Sequence, residues 1–171
     1  MASSEPDPAD WLARGLSRET RLRRDRDGRW WDGDRRVEHP GVARAFDAWI
    51  DRAPDGRYCL RNAIHWVYVT VEGAPIDVRA VHPQPDGSFL LTLSDGRHEP
   101  LDPATLRLDG DGALWCDVRG GSMPARFDRH AMVGLEPWLE DSDGGPVLRL
   151  GSRRLALTVV DDPHRVRAGE T

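Results

Sequence analysis

Lysine is absent from this chain, and all 24 of its basic residues are arginine. Several chemistries are excluded by that absence alone. No lysine can form a Schiff base, act as a general base, or hold a phosphate in a glycine-rich nucleotide loop. The chain also has no GxSxG, GxGxxG or GxxxxGK[ST] motif. We therefore expect a protein that is not an enzyme and that needs no cofactor.

Metal-binding and redox patterns are missing as well. The two cysteines, Cys59 and Cys116, are far apart, and the six histidines occur singly, without HxxxH, HExxH or His-Cys spacing. We expect no metal site and two thiols that stay reduced, as in a cytoplasmic protein. The opening residues MASSEPDPADW predict no signal peptide, and no apolar run of 18 residues predicts a membrane span.

Charge is unevenly distributed along the chain. The net charge of −5 disfavours nonspecific binding to nucleic acid or to an anionic membrane. Residues 14–36, however, hold nine arginines against five acidic residues. This positive stretch could meet a phosphate or an acidic partner, or it could pair with the acidic second half of the chain.

One ten-residue pattern occurs twice. LRRDRDGRWW at residues 22–31 returns as LRLDGDGALW at residues 106–115, an offset of 84. The pattern LRxDxDGxxW could be a metal loop, a repeated turn, or the mark of a duplicated domain. A calcium loop needs an oxygen ligand at its fifth position and glycine at its sixth. Because Arg29 and Ala113 stand at the fifth positions, tight turns within a duplicated domain are the better interpretation.

The order of predicted elements supports a duplication. Each half of the chain predicts two strands around a turn, a helix, and two more strands. The first helix begins at Pro40 and the second at Asp128, running to about Glu140. We predict an α+β fold of two similar small lobes, each with antiparallel strands and one helix. The expected segments are an N-terminal segment with a short helix near 10–20 (1–20), a first lobe (21–82), a second lobe (83–161) and a disordered tail (162–171).

Several motifs of the chain resemble those of one family. DGRWW, an apolar helix, DGRYCL and VEGAPI follow one another as in the bacterial family called domain of unknown function 1285. The resemblance covers residues 20 to 160, and residues 62–66 depart from the family pattern. It implies a duplicated α+β arrangement whose second lobe is similar to a pleckstrin-homology fold. It also implies a ligand site at the lobe interface and a role in signalling.

The candidate contact residues come from the most distinctive stretch, residues 58–78, and from the second lobe. They are Arg61, His65, Trp66, Glu72, Arg126 and Arg129. Exposed aromatic rings beside arginine would suit a nucleobase or a phosphopeptide. Glu72 is expected to cap backbone amides or to pair with Arg61.

Three functions remain open at this stage. The preferred hypothesis is a cytoplasmic binding or regulatory module that contacts a protein, a nucleic acid or a small ligand. The first alternative is a structural subunit of a larger assembly. The second is a hydrolase with His65 as base and Glu72 as the residue that orients it.

Overall fold

The computed structural model describes residues 17–63 and 65–167. The chain divides into a first unit, Met1–Pro75, and a second unit, Ile76–Thr171. The expected division at residue 82 would cut a strand of the second unit close to its end. Of the helix expected near residues 10–20, residues 10–16 lie outside the described residues, and residues 17–20 are not helical.

The first unit has one helix and two small sheets among its described residues. Its elements are β1 (Leu22–Arg24), β2 (Trp30–Asp32), β3 (Arg35–Arg36), α1 (Pro40–Trp49), β4 (Ile50–Arg52), β5 (Tyr58–Arg61), β6 (Trp66–Tyr68) and β7 (Thr70–Val71). One sheet has the strand order β3-β2-β1-β7, in which β7 runs parallel to β1. The other has the order β4-β5-β6 and is antiparallel.

The second unit is larger. Its elements are β8 (Ile76–Pro83), β9 (Phe89–Leu93), β10 (His98–Pro100), a 3₁₀ turn (Pro103–Thr105), β11 (Arg107–Leu108), β12 (Leu114–Val118), β13 (Met123–Phe127), α2 (Arg129–Leu135), a 3₁₀ turn (Glu136–Trp138), β14 (Leu139–Ser142), β15 (Gly145–Leu150) and β16 (Arg153–Ala156). Six strands form a sheet in the order β10-β9-β8-β13-β12-β11. Strands β14, β15 and β16 form an antiparallel sheet.

Both helices begin where the sequence predicts. At the start of α1 the ring Nδ1 of His39 accepts a hydrogen bond from the Gly41 backbone N–H, and Pro40 is the first helical residue. At the start of α2 the Asp128 carboxylate accepts from the Ala131 backbone N–H at 2.8 Å. These contacts satisfy N–H groups that have no partner within the first helical turn.

The second helix ends earlier than expected. It stops at Leu135 rather than near Glu140, and a 3₁₀ turn containing Pro137 follows. Proline lacks a backbone N–H, and its ring collides with the carbonyl four residues earlier, so it cannot continue an α-helix. Residues 139–142 consequently join a strand.

The end of the described chain also differs from expectation. Residues 162–167 belong to the segment predicted as a disordered tail, yet they make specific contacts. The Arg107 guanidinium donates to the Pro163 carbonyl at 2.6 and 3.1 Å. The Arg167 backbone N–H donates to the Asp117 carboxylate at 2.6 Å. Contacts between residues 50 or more apart in sequence give no local pattern from which to predict them.

The coarse fold prediction is confirmed, since the chain is mostly antiparallel sheet with two helices among the described residues. Apolar side chains with little or no exposure fill the six-stranded sheet of the second unit, including Ile76, Val78, Leu91, Leu114, Val118 and Met123. Within the described part of the chain, no helix has the length and apolar composition that crossing a bilayer requires.

Candidate binding surfaces

The first copy of the repeated pattern is a hairpin loop closed by its own aspartate. One oxygen of Asp25 accepts hydrogen bonds from the backbone N–H groups of Asp27 and Arg29, both at 2.9 Å. Its other oxygen accepts from the indole N–H of Trp31 at 2.8 Å. Gly28 has a φ of +79°, a conformation that glycine adopts without strain in such hairpins.

The second copy repeats these contacts bond for bond. One oxygen of Asp109 accepts from the backbone N–H groups of Asp111 and Ala113, and the other accepts from the indole N–H of Trp115, all at 2.9 Å. Gly112 has a φ of +83°. Each carboxylate therefore organises a tight turn, as expected, and three N–H donors occupy its oxygens.

These donors change the acidity of both aspartates. Burial opposes ionisation and acts to raise the pKa of Asp25, but hydrogen bonds from Trp31, Arg29 and Asp27 outweigh it, so the pKa of Asp25 lies below its ordinary value. The same balance holds the pKa of Asp109 below its ordinary value. Donors that bind the charged form stabilise it.

Next to the first loop lies a row of three side chains across three strands. Trp31 of β2 stands directly opposite Arg23 of β1 on one side and Arg36 of β3 on the other. Residues directly opposite each other in a sheet project from the same face. We call Arg23, Trp31 and Arg36 the first row. The Arg23 guanidinium carbon lies 4.8 Å from the centroid of the Trp31 ring, and the Glu72 carboxylate lies 3.1 Å from Arg23.

The first row is accessible to solvent. Arg36 is exposed, Trp31 is half-buried, and 31% of the Arg23 side chain is exposed. Arg21, two residues before Arg23, projects from the same face and packs over the Gly33 backbone. Three arginines and one tryptophan thus form a positively charged, partly apolar surface.

A matching row exists in the second unit. Trp115 of β12 stands directly opposite Arg107 of β11 and Arg126 of β13. We call Arg107, Trp115 and Arg126 the second row. Here Arg107 and Trp115 are only 1% and 2% exposed.

Residues 162–167 cover the second row. The Pro163 carbonyl accepts both bonds from Arg107, and the His164 ring lies 5.0 Å from the Trp115 ring between centroids. The Asp117 carboxylate, itself buried, lies 2.9 Å from Arg107. The buried guanidinium therefore donates to the carbonyls of Pro163 and Thr105 and has the Asp117 carboxylate as its counter-charge, as a buried charge requires.

A polar cluster fills the face of the β3-β2-β1-β7 sheet that lies opposite the first row. The Arg24 guanidinium donates to the Asp47 carboxylate at 3.1 Å and to the Ala74 carbonyl at 2.8 Å. The indole N–H of Trp30 donates to the same Asp47 oxygen at 2.9 Å. Arg24 and Trp30 are fully buried, and the Trp30 ring packs edge-on against Phe46.

The second unit has an open pocket beside β11, β12 and α2. Its volume is about 450 Å³, and its apolar lining comes from Leu108, Leu114, Met132, Leu139, Pro146 and Leu157. Glu136, Glu140 and Asp141 contribute carboxylates. Glu140 lies 2.7 Å from the Arg154 guanidinium, whereas Glu136 and Asp141 are exposed and have no ion pair with any other described residue.

The structure corrects the role expected for Trp66. This ring is only 6% exposed, so it cannot be the exposed aromatic platform that the sequence suggested. The Arg18 guanidinium carbon lies 3.8 Å from its centroid, and Tyr68 packs against it edge-on at 5.0 Å. Trp66 belongs to a small core with Ala53 and Cys59.

Arg61 and His65 lie at the connection that precedes Trp66. The Arg61 guanidinium carbon lies 5.6 Å from the Trp66 centroid, and Arg61 pairs with Asp51 at 3.4 Å. The backbone N–H of His65 donates to the Asn62 side chain, and the His65 carbonyl accepts from the Asn62 N–H. The structure thus brings Arg61 and Trp66 together, and it gives His65 backbone contacts that close a turn.

The expected partner of Glu72 is wrong. Glu72 pairs with Arg23 in the neighbouring strand, not with Arg61. Strand β7 lies beside β1 and places Glu72 within reach of Arg23. Because the sequence does not reveal this parallel pairing, it could not identify the partner.

Arg126 and Arg129 have different surroundings. Arg126 is half-buried, belongs to the second row and acts to lower the pKa of Asp109 through its charge. Arg129 is the first residue of α2 and is exposed. Sequence reasoning selected Arg126 but missed the other members of the two rows. The signal for most of them was the repeat itself, because Arg23 and Trp31 have counterparts at the offset of 84.

Neither thiol is an activated nucleophile. Burial raises the pKa of Cys59 to about 11, and burial also raises the pKa of Cys116. Both thiols stay protonated at neutral pH, and a protonated thiol is a poor nucleophile. In residues 17–63 and 65–167 no three histidine, cysteine or acidic side chains are grouped so as to hold a metal ion.

Comparison with solved structures gives two relatives of this fold. The first is a DUF1285 family protein from Silicibacter pomeroyi DSS-3, with a TM-score of 0.64 and 22% identity over 91% of this chain and 88% of that one. The second is a DUF1285 family protein from Shewanella baltica OS155, with a TM-score of 0.55 and 18% identity over 66% of this chain and 87% of that one. The chain has the fold of DUF1285 proteins.

The DUF1285 fold confirms, at the level of structure, the resemblance carried by the DGRWW, DGRYCL and VEGAPI motifs. No protein-family model matches the sequence, and no curated protein does. The sites in this chain must therefore be argued from its own residues.

Proposed function

We propose that this chain is a divergent DUF1285 protein that works as a binding module without catalysis, built from two copies of one supersecondary unit. We further propose that the pocket of the second unit binds a cationic group on an apolar stem, such as an arginine side chain of a partner protein. A regulatory role in the cytoplasm is part of this proposal. Two free, buried cysteines fit a reducing compartment.

The two units share an order of elements, which supports the duplication. Strands β1, β2 and β3 precede α1 as β11, β12 and β13 precede α2. Strand β7 returns parallel to β1, and a parallel bridge joins Leu108 of β11 to Val159. Both units also contain the aspartate-closed loop and an Arg-Trp-Arg row, which further supports the duplication.

One observation carries the pocket proposal. In the first unit the buried pair opposite each other on β1 and β2 is Arg24 and Trp30, and Asp47 of α1 binds both. In the second unit the corresponding pair on β11 and β12 is Leu108 and Leu114, and both line the pocket.

One acidic residue of the pocket, Glu136, also has a counterpart in the first unit. Asp47 lies two residues before Trp49, and Glu136 lies two residues before Trp138. Glu136 therefore corresponds to Asp47 in sequence, but no guanidinium of a described residue binds it. A ligand with a guanidinium or ammonium group beside apolar atoms would supply what Arg24 and Trp30 supply in the first unit.

Charge supports a cationic ligand. Residues 76–171 hold 16 acidic residues and 11 arginines, so the whole net charge of −5 arises in the second unit. A negative field around the pocket raises the local concentration of cations and speeds their association.

The test compares two synthetic peptides by calorimetric titration of the whole chain. The first is acetyl-Leu-Trp-Arg-Leu-amide, and the second replaces arginine by citrulline, which keeps the shape but carries no charge. We expect the arginine peptide to bind about tenfold more tightly, since a charge-assisted hydrogen bond contributes about 1.5–3 kcal/mol. Equal affinities for the two peptides would contradict the proposal.

Charge-neutralising variants then place the binding site. The double variant Glu136→Gln, Asp141→Asn should weaken the arginine peptide about tenfold. The matched control is Asp143→Asn, because Asp143 is an exposed acid on the same hairpin outside the pocket lining. If the control weakens binding as much as the double variant, general attraction to an acidic surface is the explanation and the pocket is not the site.

A further inference from the structure

The two Arg-Trp-Arg rows have the same residues but different surroundings. In the second unit, residues 162–167 of the chain lie over Arg107 and Trp115. In the first unit the described residues leave Arg36 and Arg21 exposed and Trp31 half-buried. The groups that contact the second row therefore indicate which chemical groups the first row can bind.

The cover of the second row is a segment that turns at Pro163 and His164, where the Arg165 N–H donates to the Asp162 carbonyl. It follows two acidic residues, Asp161 and Asp162, and it lays the Pro163 carbonyl on the Arg107 guanidinium through two hydrogen bonds. The next residue, His164, places its ring against Trp115 at 5.0 Å. A carbonyl on the arginine and a ring on the tryptophan are therefore both compatible with this kind of row.

Within residues 17–63 and 65–167, the paths of the chain explain why the second row is covered and the first is not. At the end of the returning strand, the Glu72 N–H donates to the Arg24 carbonyl, and the Val160 N–H donates to the Leu108 carbonyl. Beyond these matching bonds the paths part. The Ala74 carbonyl binds Arg24, on the buried face, whereas the Pro163 carbonyl binds Arg107, on the face of the row.

The first row has unused binding capacity. Arg23 is bound by Glu72 through one guanidinium nitrogen. Among the described residues, no carboxylate lies within ion-pairing distance of Arg36 or Arg21. Residues 14–36 carry nine arginines against five acids, so the charge of the sequence around the row favours an acidic ligand.

We propose that the first row, with Arg21, binds an acidic peptide segment of a partner protein. The segment places a backbone carbonyl on Arg23, an aromatic or imidazole ring on Trp31, and carboxylates on Arg36 and Arg21. This site is separate from the pocket of the second unit and does not depend on it. Arginine suits it because its planar guanidinium binds carbonyl and carboxylate groups while stacking on an aromatic ring.

The probe imitates the segment that covers the second row. A fluorescein-labelled peptide Asp-Asp-Pro-His-Glu-Glu is titrated with the whole chain, and fluorescence anisotropy reports binding. Lys-Lys-Pro-His-Lys-Lys serves as the charge-reversed probe. We expect the acidic probe alone to bind, with an affinity that falls as salt is added, because the contacts are ionic and exposed.

Two arginine variants give the decisive comparison. Arg36→Glu should weaken the acidic probe about tenfold or more, since it removes a charge-assisted contact and adds repulsion. Arg44→Glu makes the same charge change at an exposed arginine of α1 outside the row, and affinity should stay within about twofold. Equal losses in the two variants would overturn the proposal.

Competition distinguishes other occupants. If inorganic phosphate or a short oligonucleotide displaces the probe as well as unlabelled acidic peptide does, the row is a general anion site and the peptide proposal is overturned. Glu5, Asp7 and Asp10 make the beginning of the chain acidic. Neutralising them (Glu5→Gln, Asp7→Asn, Asp10→Asn) could tighten probe binding about tenfold. That result would mean that this chain supplies its own acidic segment, and it would overturn the proposal of a partner protein.

The pocket variants separate this proposal from the proposed function. The double variant Glu136→Gln, Asp141→Asn should leave the affinity for the acidic probe unchanged within about twofold. If the arginine peptide does not bind but the acidic probe does, only the pocket proposal is refuted. If the acidic probe does not bind but the arginine peptide does, only the proposal for the first row is refuted.

Discussion

The two units contain the same loop and the same kind of row, yet the row is accessible in the first unit and buried in the second. In the first unit a polar cluster of Arg24, Trp30 and Asp47 fills one face of the sheet, and the row on the other face is accessible. In the second unit the chain covers the row, and the opposite face holds a pocket. A shared local pattern therefore does not decide where a surface is available for binding.

The difference arises from two substitutions and one change of path. Leucines at positions 108 and 114 stand where the first unit has Arg24 and Trp30, so no guanidinium reaches Glu136. The chain beyond Val160 turns towards Arg107. Together these changes replace the polar cluster by an apolar pocket lining and bury the row.

The largest expected difference concerns Asp47 and Glu136, the two acidic residues that each lie two positions before a tryptophan. Asp47→Ala removes the carboxylate that binds the fully buried Arg24. An uncompensated buried charge costs about 3–5 kcal/mol, so the free energy of unfolding in urea should fall by that amount. Glu136→Ala is the matched control and should change it by less than about 0.5 kcal/mol, because Glu136 is exposed. Similar decreases in the free energy of unfolding for both variants would show that the two carboxylates contribute equally to stability, which would contradict this prediction.

The second prediction compares the two indole N–H groups. Trp115→Phe removes the donor to Asp109 in a buried setting, and a hydrogen bond to a charged group contributes about 1.5–3 kcal/mol. Trp31→Phe removes the same bond at a half-buried ring and should cost about 0.5–1.5 kcal/mol. Equilibrium unfolding measures both. A larger loss for Trp31→Phe would mean that burial of the second row adds nothing to the bond.

The third prediction concerns the cover of the second row. His164→Ala removes the ring that packs on Trp115, and such ring pairs contribute about 0.5–1.5 kcal/mol. The local opening of residues 163–167 should become easier, so the Arg167 amide, which donates to Asp117, should exchange its hydrogen about three- to tenfold faster. Exchange at the first loop, measured at the Arg29 amide, is the internal control and should not change.

The smallest expected effect is a pH dependence of stability, to which Asp25 in the first unit and Asp109 in the second should both contribute. The pKa values of Asp25 and Asp109 are lowered in the folded chain, so both groups stabilise the fold above the ordinary aspartate pKa of about 3.9. That contribution is lost as the pH falls through the lowered values. Urea midpoints measured from pH 6 down to pH 2.5 should decline less steeply in Asp25→Asn and in Asp109→Asn. If the urea midpoint falls with pH as steeply in both variants as in the unchanged chain, the hydrogen bonds to Asp25 and Asp109 do not lower their pKa values.

Local features were largely predictable from sequence. The start of α1 at Pro40, the cap of α2 at Asp128 and the Asp-Gly turns each depend on residues within a few positions of one another. The end of α2 was predicted too late because the helical pattern was extended through Pro137. The candidate site was predicted less well, since Trp66 proved buried and Glu72 pairs with another arginine.

By itself, the sequence determined that the loop at Asp25 would be built again at Asp109, because a turn closed by its own aspartate needs nothing beyond the ten residues of the repeat. Only the tertiary structure decided that the first row stays accessible and the second row is covered. That choice rests on the Ala74 carbonyl reaching Arg24 and the Pro163 carbonyl reaching Arg107, across 50 and 56 residues of chain. Contacts over such separations depend on how strands pair and where the chain turns afterwards, which no short pattern encodes.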